Sequence, residues 1–150
     1  MNIDRSLTAT VYIVSDGKVL LHRHKKYNTW FAVGGHLLPD EFPHQTAHRE
    51  VREETGLEIE IINTENTGNI DLVNVERIPL PYITCREGIG SDEEFYDFIF
   101  IAKPKSKVLN PSENESNDFR WFSEDELISE NIKPHVKNTA LSVLEYMRNK

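Results

Sequence analysis

Short apolar runs separated by turn residues dominate the first third of the chain. LTATVYIV at 7–14 and KVLLHRH at 18–24 are rich in aliphatic and β-branched residues and flank Asp16-Gly17, a pair that favours a two-residue hairpin turn. Two antiparallel strands are predicted there, and Trp30 to Val33 forms another short apolar run that leads into Gly34-Gly35. The period then changes. Pro39-Asp40 interrupts regular structure, and Pro43 suits a first helical turn, where its missing N–H would be unpaired anyway. Ala47 and Val51, four apart, form an apolar side, and Gly56 after Thr55 is the usual left-handed stop residue. The pattern predicts a helix that begins near 42 or 43 and ends at 55.

Beyond the helix, LEIEIINTENTG at 57–68 alternates as a half-buried strand should. A pair of strands is expected near 77–85 and 95–103, and a short one at DFRWF, 118–122. Ser123 and Glu126 have the spacing of a capping box for a small helix, and Pro134 to Met147 reads as an amphipathic C-terminal helix. REGIGSDEE at 86–94 and NPSENESND at 110–118 are polar and acidic between apolar runs, which predicts loops. There is no repeat and no linker. Strands interleaved with two substantial helices predict a single α+β domain over 1–150, with a mixed sheet packed between helices.

Composition agrees with one globular domain: 150 residues can bury a core, and 38% hydrophobic with 28% charged residues is ordinary. Acidic residues outnumber basic ones by 25 to 17, a formal charge of −8, which argues against long nucleic acid held by bulk electrostatics. Cys85 is the only cysteine, so there is no internal disulfide and no Cys/His zinc spacing; a small hydrophobic residue in a reduced, cytoplasmic protein is the simplest reading. The opening MNIDRSLTATVYIV lacks a basic segment followed by a signal-length apolar run. No stretch approaches the roughly 18–20 apolar residues of a membrane span, so membrane insertion is not expected.

The chemistry is concentrated at GHLLPDEFPHQTAHREVREETGL, residues 35–57. Glu50, Glu53 and Glu54 stand at i, i+3 and i+4 and project from one helix face. Like charges so placed repel by a few tenths of a kcal/mol per pair, and a hard divalent cation relieves that repulsion while leaving room for substrate phosphates. A solvated acidic face would be the ordinary reading of E-x-x-E-E alone. The surrounding grid decides otherwise: Gly35, five residues, Glu41, seven residues, Arg49-Glu50, aliphatic Val51, one residue, Glu53-Glu54, one residue, Gly56 and aliphatic Leu57.

That grid resembles the Nudix box of the nucleoside-diphosphate-X hydrolases, MutT-like proteins, at all nine of its defined positions. The resemblance implies the Nudix fold, a mixed sheet between helices. It also implies Mg²⁺ or Mn²⁺ held by Glu50, Glu54 and Glu53, the last directly or through water, with the Gly34 carbonyl as a further ligand. Arg49 bonding back to Glu41 would fix the preceding loop, while Gly35 and Gly56 are structural. The one departure is Val33, where many members carry proline. The general base would be Glu53 or a carboxylate outside the box, for which Glu115 resembles one recurring location and Glu93 or Glu94 competes.

Substrate groups are sought nearby. His22, Arg23, His24, Lys25 and Lys26 precede Trp30, in a region that borders the phosphate site in similar proteins. Arg23 and its two histidine neighbours cannot share a strand face. Trp30, Phe31, Tyr82, Phe95 and Tyr96 are aromatic candidates for stacking on a base, although aromatics in short strands more often belong to the core. The expected activity is metal-dependent hydrolysis of a small nucleotide or nucleoside-diphosphate derivative, with a homodimer admitted because dimers are common among similar proteins. The alternative is a catalytically silent binding or regulatory module, although no box glutamate is missing. A prenyl diphosphate isomerase would need a catalytic cysteine in the sheet, for which Cys85 has a poor context.

Overall fold

The computed structural model describes residues 3–24, 26–62, 70–106, 108–110 and 118–150. Two long strands organise the sheet. β1 (Asp4–Ser15) lies parallel to β7 (Glu93–Pro104), paired from Asp4↔Glu93 to Ile13↔Ala102. The other edge of β1 is shared by β2 (Lys18–His24) at one end and β4 (Val33–His36) at the other. On β2, β8 (Phe119–Phe122) takes the outer edge while β3 (Thr29–Phe31) follows β1 along the inner one, and the outer edge of β7 is divided between β5 (Ile59–Ile61) and β6 (Ile83–Glu87). Asp16 and Gly17 both adopt left-handed geometry (φ 53° and 73°), as a two-residue hairpin turn between right-twisted strands requires.

Parallel pairing of β1 and β7 demands a crossover, and helices cover both faces of the sheet. One face packs Ala9, Val11, Ile13, Leu20 and Phe100 against Ala47 and Val51 of α1 (Pro43–Thr55). On the other, Tyr12, Leu21, Ile99 and Phe122 meet Leu127 of α2 (Glu124–Ser129) and Val136, Ala140 and Val143 of α3 (Pro134–Arg148). Alternation along β1 sends Ala9, Val11 and Ile13 one way and Tyr12 and Val14 the other. Because both faces are covered, the strand is apolar on each. Burying each larger aliphatic side chain contributes about 1.5–3 kcal/mol.

The α1 boundaries are those the sequence predicts: Pro43 opens the helix, and Gly56 closes it at φ 76° with its N–H bonded to the Arg52 carbonyl. The capping box at Ser123 and Glu126 and the C-terminal helix are also present. Three expectations need correction. The strand placed at 57–68 is regular only from Ile59 to Ile61, and 63–69 lie outside the described residues. The strand placed at 77–85 starts at Ile83, because Pro79 and Pro81 offer no N–H to a ladder. The loop placed at 86–94 is only the turn 88–92; Glu87 ends β6, while Glu93 and Glu94 open β7. Among the described residues, no helix is long and apolar enough to cross a membrane.

Candidate active site

The site is built where β4 runs into α1. Gly34 and Gly35 pair with Thr10 and Ala9 of β1. A methyl group on Gly35 would lie 2.4 Å from Glu50 Oε1, and one on Gly34 would lie 2.4 Å from the Ala9 carbonyl oxygen. Backbone therefore approaches a box carboxylate as closely as only glycine allows. In Gly35→Ala the obstructing atoms are the tip of a flexible side chain, so the expected result is a melting temperature within a few degrees of wild type. Hydrolytic turnover should fall by at least about tenfold, because Glu50 is pushed from its position. Thermal melting and a phosphate-release assay on the same preparation check this; unchanged turnover would remove Glu50 from the site.

Arg49 braces this region with every edge of its guanidinium. Its Nε and Nη2 donate to Glu41 at 2.7 and 3.0 Å, and Nη2 also reaches the His36 carbonyl at 3.1 Å. Nη1 donates to Glu50 Oε1 at 2.9 Å and Glu53 Oε2 at 3.2 Å. Glu41 additionally accepts the Leu38 N–H and the Thr46 hydroxyl, both at 2.9 Å. The Arg49 hydrogen bond foremost holds the Glu41 carboxyl at about 2, below the ordinary carboxylate range. The structure thus ties the loop to the helix, as the resemblance implies. It adds two members that sequence reasoning passed over: the fully buried Thr46, and Arg49 as a partner of the acidic face.

Glu50, Glu53 and Glu54 share that face. Glu53 is 46% exposed, Glu50 is largely covered, and Oε2 of Glu54 is shielded from solvent. Among the described residues, no three His, Cys, Asp or Glu side chains converge as a metal shell would, since Arg49 Nη1 sits between the carboxylates of Glu50 and Glu53. The donor set nevertheless fits a hard divalent ion: three carboxylates offer only oxygen, and the Cβ-free backbone of Gly35 lies against Glu50.

The other sequence candidates are dispersed. Glu115 and Lys25 lie outside the described residues. Glu94 is only 2% exposed and is held by Arg5 and Arg86, which leaves it poorly placed as a loop carboxylate. The strand alternation separates Arg23 from His22 and His24. His22 is buried beside Phe119, and burial pushes its imidazole pKa down. His24 packs on Tyr27 and Phe31. Arg23 lies 5.0 Å over the ring of Trp30 and 3.4 Å from Asp118. Trp30, 8% exposed and edge-on to Phe122, is a core residue.

A cavity of about 490 Å³ opens instead on the α3 side of the sheet, lined by Thr10, Phe31, Glu87, Phe95, Asp97 and His135 among others. It adjoins the glycine pair, because Thr10 Oγ1 lies 3.2 Å from where a Gly34 Cβ would be. Asp97 is 1% exposed and accepts the hydroxyls of Thr8 and Thr10 at 2.8–2.9 Å. Glu87 lines the same cavity, and burial first, then the neighbouring Asp97 carboxylate, push the Glu87 carboxyl up to about 8. The signal for Asp97 was present in the chain, since it shares strand parity with the buried Ile99 and Ile101.

A folded-state value above the ordinary 4.5 means that the contribution of Glu87 to stability is full below about pH 4.5 and is lost as pH rises through about 8. Gln cannot ionise, so Glu87→Gln should gain on wild type by a few degrees of melting temperature between pH 5 and 8.5. Calorimetric melts across that range decide it, and parallel profiles would disprove the raised Glu87 carboxyl. Cys85 also borders the cavity, where burial and the two acids raise its thiol pKa and keep it from acting as a nucleophilic thiolate.

A mixed sheet between helices, with a braced triad of glutamates on the helix that follows a glycine pair, defines a class of α+β domain. Residues 4–143 match the NUDIX domain, and the chain belongs to the Nudix family. It is 32% identical over 119 residues to a MutT-like protein of Streptomyces ambofaciens, an alignment that covers 79% of this chain but only 64% of that protein. Its fold is similar to that of a NUDIX-family hydrolase from Clostridium perfringens, with a TM-score of 0.83, 28% identity and coverage of 97% and 99% of the two chains. A MutT protein from Methanosarcina mazei Go1 has the same fold, with a TM-score of 0.73 at 16% identity and coverage of 100% and 99%.

Proposed function

We propose that this protein is a divalent-metal-dependent hydrolase that cleaves the phosphoanhydride linkage of a nucleoside diphosphate joined to a further group. The observation that carries the reading is the glutamate face of α1, set against the glycine backbone of β4 and braced through Arg49 to Glu41. Glu50, Glu53, Glu54 and the Gly34 carbonyl would hold Mg²⁺ or Mn²⁺. When bound, such an ion neutralises diphosphate oxygens and lowers the pKa of a water.

The chain's own residues do the rest. Glu41 and Arg49 hold the loop in place, so that the carboxylates need little rearrangement to meet a substrate. Glu53, whose side chain is more exposed than that of Glu50, can accept a proton from the attacking water; Glu115 is the alternative acceptor. The expected products are a nucleoside monophosphate and the phosphorylated remainder, or pyrophosphate.

The test is phosphate release from nucleoside triphosphates, nucleotide sugars, ADP-ribose and dinucleoside polyphosphates, with pyrophosphatase and phosphatase coupling run separately, in Mg²⁺ and after chelation. Hydrolysis of at least one class that chelation abolishes is the expected outcome. Calorimetric binding of nucleotides without turnover would replace the reading with that of a silent binding module.

A further inference from the structure

The stretch between β5 and β6 breaks the pattern of covered apolar residues seen elsewhere in the fold. Ile70, Leu72 and Val73 are all exposed, Val73 by 74%. Asn74 then turns the chain in left-handed geometry, φ 60°, and Val75, Ile78, Leu80 and Ile83 follow, again exposed. Of the fifteen exposed large hydrophobic residues among the described ones, seven therefore lie in 70–83, while the other eight are spread over the rest of the chain. Single exposed apolar residues are ordinary, but such a concentration is not.

The stretch is carried on a fixed support. Next to Ile83, the Tyr82 N–H donates to the Ile99 carbonyl at 2.7 Å, the Tyr82 ring meets that of Tyr146 on α3 at 5.5 Å, and its hydroxyl is hydrogen-bonded to Ser142. Pro79 and Pro81 offer no N–H to an added strand, so a partner must be held by side chains rather than by an extended ladder.

Area and charge together choose the partner. The seven residues expose about 600 Å², at the top of the range for the largest apolar patch on a monomer. That is about three quarters of the roughly 800 Å² that each side gives to a stable interface of standard size. Asp71, Glu76 and Arg77 leave the stretch with one net negative charge, too little to select a foreign surface by electrostatics. A two-fold axis, by contrast, brings the same apolar patch to itself, and isologous pairs are the commonest assemblies.

We propose that residues 70–83 form the interface of a homodimer, in which Val73 and Val75, on either side of the Asn74 turn, pack against the same stretch of a second copy of this chain. The interface is independent of the hydrolase reading above. Its response to salt is distinctive. Each chain carries −8, so two copies repel at low ionic strength, and added salt screens that repulsion without weakening apolar contact. The dimer should tighten as salt rises, whereas one held by ion pairs would loosen.

Sedimentation velocity from low to high micromolar protein, at low and high sodium chloride, tests this on wild type, Val73→Glu, Val75→Glu and Ile128→Glu, each shown to be folded by its melting transition. Ile128 is exposed on α2 and serves as the control outside the patch. Wild type and Ile128→Glu should sediment at twice the chain mass, with a dissociation constant that falls as salt rises. Each valine variant should weaken the dimer by at least about 100-fold, since every dimer would then bury two unpaired carboxylates. Amide exchange of the unmodified protein gives a second reading that needs no variant: 70–83 should be protected at high protein concentration and not at low. A wild-type monomer at every concentration would overturn the proposal and leave the patch to a different partner. A dimer of unchanged affinity in both valine variants, or one that high salt dissociates, would overturn it as well.

Discussion

Glu54→Gln is expected to lower Mg²⁺-dependent hydrolysis by at least about 10²-fold, since losing a metal-binding group should cost more than the 10–100-fold typical of the residues that merely support one. Glutamine keeps the volume and one acceptor oxygen but removes the charge, which is what a divalent ion and two phosphates together require. The fold should not suffer. Glu54 stands one residue from Glu53 and four from Glu50, so neutralising it relieves a few tenths of a kcal/mol of helix-face repulsion. The diagnostic pattern is a melting temperature equal to or slightly above wild type, with a raised Mg²⁺ concentration for half-activation. Undiminished hydrolysis would sink the metal assignment for this residue.

Arg49→Ala should be the most destabilising single change in the region. It removes the guanidinium that Glu41, 13% exposed, and the covered Glu50 carboxylate both bond, and breaking such a partly buried network costs about 2–4 kcal/mol. At this chain length, each kcal/mol lowers the melting temperature by about 2–4 °C. Arg49→Lys should recover less than half of the loss, because one ammonium cannot span Glu41 on one side and Glu50 with Glu53 on the other. Hydrolysis should fall in both variants as the loop at 37–42 loosens. The depressed Glu41 carboxyl sets the acid limit: the stabilisation is complete above about pH 4.5 and is lost as pH falls through about 2. Denaturant titrations of the three proteins at pH 7 give the comparison, and an Arg49→Ala protein as stable as wild type would show that the brace is ornamental.

What was legible along the chain, and what was not, follows the range of the interactions. The Asp16-Gly17 hairpin, the span of α1, its stop at Gly56 and the capping box at Ser123 all depend on residues within about one turn of each other, so local pattern suffices. The start of β6 is also encoded locally: Pro79 and Pro81 have no N–H to give a ladder, so regular pairing begins at Ile83 rather than at 77.

Helical spacing by itself put Glu50, Glu53 and Glu54 on one helix face, whereas the Arg49–Glu41 contact was implied only by the resemblance of the box to a known family and is seen in the structure. Tertiary structure alone decided the fates of the other acids. Glu94 meets Arg5, and Asp97 meets Thr8 and Thr10, only because β7 lies parallel to β1 in one register, and a slip of a single residue would turn those side chains to the opposite face. Those partners are 87–89 residues apart, and no local period encodes such a register. The parallel register of β1 and β7 therefore separates an acid locked in an ion pair from one that lines a cavity.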